Sequence, residues 1–155
     1  MTPSFPEIAA QVRRSAARLC AALAWSPLHE VPLPNGRRAD ILALRRDGGF
    51  VCIEVKSGPR DFLTDLKWPE YRMFSDALYF AVDPRFPVKL LPDTAGLIVA
   101  DANGAEILRD APAHPLAPAR RRALLHRFAV IAADRLHACD DPTGAALLRA
   151  GLRAE

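Results

Sequence analysis

Apolar and polar positions alternate along this chain with two different periods. Ile8, Val12, Ala16, Leu19 and Leu23 recur at helical spacing and predict an amphipathic helix reaching about Trp25. Ser4 followed by Glu7 is a capping-box pattern, with Pro6 tolerated in the first turn. Pro27, Pro32 and Pro34 then forbid helix, and residues 28–33 read as an irregular or edge strand. Residues 38–44 and 50–56 are strand-like, and Asp47-Gly48-Gly49 between them is a hairpin signal. Ser57-Gly58-Pro59 ends the second strand and opens a helix whose expected apolar stripe is Phe62, Leu63 and Leu66. Pro69 is expected to kink or restart that helix before Tyr71 and Met73.

Residues 78–82 form a continuous apolar run, as expected of a strand covered on both faces. Pro84, Pro87 and Pro92 make the next segment a loop, and residues 95–100 read as another buried strand. Asn103-Gly104 turns the chain into a strand over 106–109. Pro112, Pro115 and Pro118 lead into a long helix, about 119–138, with Leu125, Phe128, Ala132 and Leu136 as its expected stripe. A further short helix is expected after Pro142. No internal repeat or domain break is visible, so residues 1–155 read as a single α/β domain, a mixed sheet packed between helices.

Composition changes this picture little. The 155 residues are 50% hydrophobic and 25% charged, as in ordinary globular proteins. No apolar run approaches the ~20 residues that span a bilayer. The N-terminus lacks the layout of a secretory signal, which predicts a cytoplasmic protein with no membrane partner. Cys20, Cys52 and Cys139 are scattered and read as reduced thiols, not a disulfide framework or zinc cluster. His29, His114, His126 and His137 have no ligand spacing. A net charge of +3 favours polyanionic partners weakly. Only three of the 21 basic residues are lysine, and arginine suits bidentate phosphate contacts. The wealth of alanine and proline makes a GC-rich coding sequence an equal explanation.

The candidate chemistry lies on the hairpin. Side chains alternate along a strand, so Glu54 and Lys56 share one face while Val55 points the other way. Asp40 on the preceding strand supplies a second carboxylate. Two carboxylates with water and phosphate oxygens suit Mg²⁺, a hard octahedral ion. Such an ion activates water and neutralises charge on a scissile phosphate, and Lys56 is then placed to serve the attacking water or the developing charge. The plainer alternative is a salt-bridged strand end facing solvent. Register decides between them. A two-residue turn would set Asp40 opposite Val55, on the wrong face. A three-residue loop, closed by Gly48 or Gly49 in a left-handed conformation, sets it opposite Glu54 or Lys56. An odd-length loop, or a bulge with the same effect, is therefore predicted.

Asp40, Glu54 and Lys56 match the PD-(D/E)xK nuclease pattern, with Ala39 where its name-giving proline stands. More narrowly, residues 36–41, 53–58, 61–62 and 65–72 resemble the MmcB-like DNA-repair family. The similarity continues through Asp76, residues 80–82, 91–92 and 96–98. The resemblance implies a restriction-endonuclease-like fold with an αβββαβ core and C-terminal additions. It implies a role in bacterial DNA repair, with DNA and other repair proteins as partners. The activity it points to is a Mg²⁺-dependent deoxyribonuclease, with Mn²⁺ as a substitute ion. Asp40, Glu54 and the Val55 carbonyl would bind metal, and Lys56 would be catalytic. The alternative is a non-catalytic accessory that binds DNA or protein on a nuclease fold, and RNA is not excluded as substrate.

Other residues complete the expectations. Glu30 precedes the first strand of the hairpin, where related nucleases often place an additional acidic ligand, which makes it a candidate catalytic residue; its alternative is an exposed loop acid. Arg37 and Arg38 flank the site strand as candidate phosphate contacts, though edge-strand solubility explains them equally well. Lys67 and Tyr71, four apart, are candidates to contact nucleic acid, and Tyr71 and Trp68 are also natural core aromatics. Asp61 suits the positive end of a helix, and the role of Asp65 is left open. Arg120, Arg121, Arg122 and Arg127 read as a solvated helix face.

Overall fold

The computed structural model describes residues 1–153. They divide into two compact units, Met1–Ala117 and the segment from Pro118 onward. The first contains helix α1 (Phe5–Ala22), strands β1 (Ser26–Pro32), β2 (Arg38–Leu44) and β3 (Phe50–Lys56), and a short helix α2 (Pro59–Thr64). A 3-10 helix (Trp68–Phe74) follows, then β4 (Ala77–Val82), β5 (Gly96–Asp101) and β6 (Gly104–Arg109). The second unit is a pair of helices, α3 (Pro118–Asp140) and α4 (Pro142–Gly151). The helix–three strands–helix–strand order expected for the core is present.

The six strands lie in chain order in one mixed sheet. β1, β2 and β3 form an antiparallel meander, β3, β4 and β5 run parallel, and β6 returns antiparallel to β5. Parallel neighbours need a crossover, and α2 with the 3-10 helix supplies it between β3 and β4. α1 begins with the predicted capping box, Ser4 and Glu7 each bonding the other's backbone N–H. Its stripe of Ile8, Val12, Ala16 and Cys20 packs on Ile41, Ala43, Val51, Ile53, Tyr79 and Ile98 of the sheet. Burying each larger aliphatic side chain stabilises the unit by about 1.5–3 kcal/mol. On the other face Leu42, Leu78, Phe80 and Val82 are fully buried. The rings of Phe62 and Trp68 each meet Phe80 edge-on at 5.4 Å.

Two predicted stripes need correction. The helix after Pro59 stops at Thr64, leaving Leu63 and Leu66 exposed. It stops because Asp65 leaves the helical conformation and its Oδ1 accepts the Lys67 N–H (3.0 Å). Trp68, not Leu66, then joins Phe62 in covering Phe80. In α3 the buried positions are Leu124 and Phe128, whereas Leu125 and Leu136 are exposed.

The 45–49 connection follows the predicted odd count. Arg45 donates its N–H to the Gly49 carbonyl (2.8 Å), which leaves a three-residue loop of Arg46, Asp47 and Gly48. Gly48 has φ +87°, the left-handed conformation that glycine adopts without steric cost. Ile41 therefore pairs with Ile53, and Asp40 comes opposite Glu54.

Candidate functional site

The backbone ladder between β2 and β3 runs from Leu44/Phe50 to Ile41/Ile53, and side chains take over beyond it. The Asp40 N–H donates to Glu54 Oε1 (3.2 Å), and the Val55 N–H donates to Asp40 Oδ2 (2.8 Å). Each carboxylate thus holds the opposite strand. A strand residue directs its N–H and C=O toward the same neighbouring strand. With its N–H on Asp40, Val55 also turns its carbonyl toward β2. The two carboxylates therefore sit between the strand ends, on the side to which the strand geometry turns the Val55 carbonyl.

The electrostatics of this gap are unfavourable to its own charges. Glu54 is buried, and its carboxyl is pushed up to about 8, chiefly by burial and next by the negative charge of Asp40. Asp40 is also raised by burial, against the Val55 N–H and the charges of Lys56 and Arg13. The Cys52 thiol, fully buried on the same face, donates to Glu54 Oε1 (3.7 Å) and is raised well above the ordinary range, burial again leading. Lys56 is buried and its ammonium donates to Asp65 Oδ2 at 2.6 Å. Burial alone would raise Asp65, yet the hydrogen bond and charge of Lys56 bring it below the usual range, helped by the Lys67 and Trp68 N–H groups. The ammonium on the Glu54 face is therefore already engaged. A hard divalent ion with oxygen ligands suits a donor set of this kind. Among the described residues no group of three or more His, Cys, Asp and Glu side chains is arranged to hold a metal. The candidate set is the two carboxylates and the Val55 carbonyl.

Asp40 and Val55 also line a cleft of about 310 Å³ with Pro6, Ala9, Ala10 and Arg13 of the N-terminal helix. Glu30, on β1, is half exposed, with its Oε1 3.2 Å from Arg13 and 3.9 Å from Arg38. Arg37 pairs with Glu70 at 2.8 Å. Lys67 is exposed. Tyr71 is buried, its hydroxyl donating to the Arg38 carbonyl (3.4 Å) at the start of β2. Asp61 accepts the Ser57 N–H (3.0 Å) ahead of the short helix.

The fold thus gathers Asp40, Glu54, Val55 and Lys56 at one sheet end. It holds Glu30 and Arg38 beside them and gives Arg37 and Tyr71 tethers of their own. Sequence reasoning missed Arg13, Cys52 and the Asp65 partnership. Period-two alternation from Glu54 would have pointed to Cys52. Nothing local marks Arg13, which reaches the site only through packing of α1.

A family model described as DNA repair protein MmcB-like matches residues 2–143. The chain belongs to the MmcB-like family. The family name implies a role in DNA repair. A solved structure described as SPO1766 protein of unknown function, from Silicibacter pomeroyi, is similar to this MmcB-like chain. It is 42% identical, with a TM-score of 0.83, over 88% of this chain and 94% of that one. A comparison with curated proteins finds no match. The MmcB-like match spans both compact units and includes every candidate residue named above.

Proposed function

We propose that this MmcB-like protein is a Mg²⁺-dependent deoxyribonuclease that hydrolyses phosphodiester bonds during DNA repair. The observation that carries the reading is the reciprocal pair of hydrogen bonds setting Asp40 and Glu54 on one gap, with the Glu54 carboxyl up to about 8. A buried carboxylate pair whose charges no cation fully offsets suits a divalent ion.

Asp40, Glu54 and the Val55 carbonyl would hold Mg²⁺, with Mn²⁺ as a substitute. The bound ion supplies acidification of water and neutralisation of phosphate charge. The protein's share is positional. Asp40 keeps its orientation through the Val55 N–H, and Glu54 through the Asp40 N–H and the Cys52 thiol. Lys56, on the Glu54 face, orients the attacking water or stabilises charge on the phosphoryl oxygens, and Asp65 holds its ammonium in a fixed position.

The test is incubation of purified protein with single-stranded, duplex and branched DNA in Mg²⁺ or Mn²⁺, beside Asp40→Ala and Lys56→Ala. Cleavage that both substitutions abolish is the expected result. Cleavage surviving in either variant, or none in any metal, rejects the reading. A second reading has one observation in its favour: the short Lys56–Asp65 pair already neutralises the lysine, as a purely structural network would. In that reading the protein binds DNA or a repair partner without cutting.

A further inference from the structure

We propose that Arg13 grips a backbone phosphate of the bound nucleic acid, and that Glu30 is the positioning residue for Arg13 and not a metal ligand. This goes beyond the deoxyribonuclease reading in naming the contact that seats the strand, and it needs only that DNA binds at the Asp40 cleft.

Three observations converge on it. Arg13 lines the same cleft of about 310 Å³ as Asp40 and Val55, so a phosphate there lies beside the candidate metal ligands. The remaining wall is Pro6, Ala9 and Ala10, whose small side chains leave the cleft beside Arg13 unfilled. Second, Glu30 Oε1 is committed to two guanidinium groups, Arg13 at 3.2 Å and Arg38 at 3.9 Å. One carboxylate between two arginines leaves the guanidinium charge of this pair of arginines only partly neutralised. The guanidinium of Arg13 carries five donors and Glu30 engages Nη1, leaving others for phosphate oxygens.

Third, the backbone at Glu30, whose carboxylate meets Arg13, is in a left-handed conformation. Its φ is +49°, a left-handed conformation that non-glycine residues adopt rarely and at a cost of about 1–3 kcal/mol. It falls where regular pairing skips from His29/Ile41 to Val31/Ala39, so the irregularity sits directly across from Asp40. The register is the same on both sides of Glu30, so its left-handed backbone alone departs from the strand. Its carboxylate meets a helix residue 17 positions earlier in the chain.

The experiment measures binding of fluorescently labelled single-stranded and duplex oligonucleotides by anisotropy in EDTA, across about 50–200 mM salt. It uses wild type, Arg13→Ala, Arg13→Lys, Glu30→Gln and Arg14→Ala. The last removes an equal charge from an exposed position on the same helix. Arg13→Ala should weaken binding about tenfold and flatten the salt slope by about 0.7–0.9. Arg13→Lys should fall between it and wild type, and Arg14→Ala should change affinity less than twofold. Glu30→Gln should weaken DNA binding severalfold while Mn²⁺ affinity, by calorimetry, stays unchanged.

Equal losses in Arg13→Ala and Arg14→Ala would overturn the proposal. So would wild type that binds no DNA, or Glu30→Gln that abolishes Mn²⁺ binding. Wild type that binds through Arg13 yet never cuts would leave this inference standing and remove the deoxyribonuclease reading.

Discussion

Glu54 is the residue at which burial and ionisation pull apart. Its carboxyl sits at about 8 in the folded chain against an ordinary 4.5, with burial as the main cause and Asp40 second. A folded value above the unfolded one means that stability is fully present below about 4.5 and is lost as pH rises through 8. Without metal, Glu54→Gln should therefore match wild type in thermal melts at low pH and exceed it at pH above 8. The gain should be on the order of a few kcal/mol, or several degrees. A variant less stable than wild type at high pH would contradict this account. Lys56 presents the complementary case, because its buried ammonium rests on Asp65. Asp65→Ala should cost about 3–5 kcal/mol by leaving that charge unpaired, whereas Lys56→Met with Asp65→Leu should recover most of the loss. Urea titration of the three variants checks the ordering.

Among the elements, the β2–β3 hairpin decides whether the site exists. Its three-residue loop, closed by Gly48 at φ +87°, brings Asp40 opposite Glu54. Gly48→Ala should cost about 1 kcal/mol through its left-handed backbone, read as a lowered urea midpoint with an unchanged slope. Asp76 makes a second junction. Its Oδ2 accepts the Phe50 N–H (2.7 Å) and its Oδ1 the Leu116 N–H (2.8 Å), joining the start of β3 to the segment after β6. Asp76→Ala removes the acceptor of both N–H groups and should cost about 2–5 kcal/mol, measured by the same titration. The hairpin register was legible in the sequence because strand alternation and a glycine-bearing loop are local signals. The end of α2 was not. Helical periodicity through Leu63 and Leu66 continues past the point where Asp65 turns its side chain onto the Lys67 N–H, and no local rule weighs that bond against another helical turn. In α3 Phe128 is buried as expected, but Leu124 takes the place of Leu125 beside it, which shows how little an alanine- and arginine-rich helix discriminates among its faces.

For the whole molecule, a metal held as proposed by Asp40 and Glu54 would give ion binding and folding a common dependence. An ion that binds only the folded chain stabilises it by about 2.7 kcal/mol at a hundredfold excess over its dissociation constant. Because Glu54 must lose its proton to bind, Mn²⁺ should raise the melting temperature more at pH 9 than at pH 6, and Asp40→Asn should remove the effect at both. Calorimetric melts with and without Mn²⁺ would check this, and equal shifts at the two pH values would contradict it. Sequence order and alternation made the mixed sheet and its covering helix readable. The meeting of Arg13, Glu30 and Asp40 was hidden, because it depends on how α1 crosses strands 17 and 27 residues away.

The meander margin formed by β1 has a consequence for self-association. Pro27 and Pro32 offer no N–H, and the reversal at Glu30 breaks the row of backbone groups between them. A strand from another molecule docking there would find donors missing at both ends and misaligned in the middle. The rim nearest Asp40 is thereby closed to cross-molecular sheet growth, which keeps it accessible to ligands that bind through side chains.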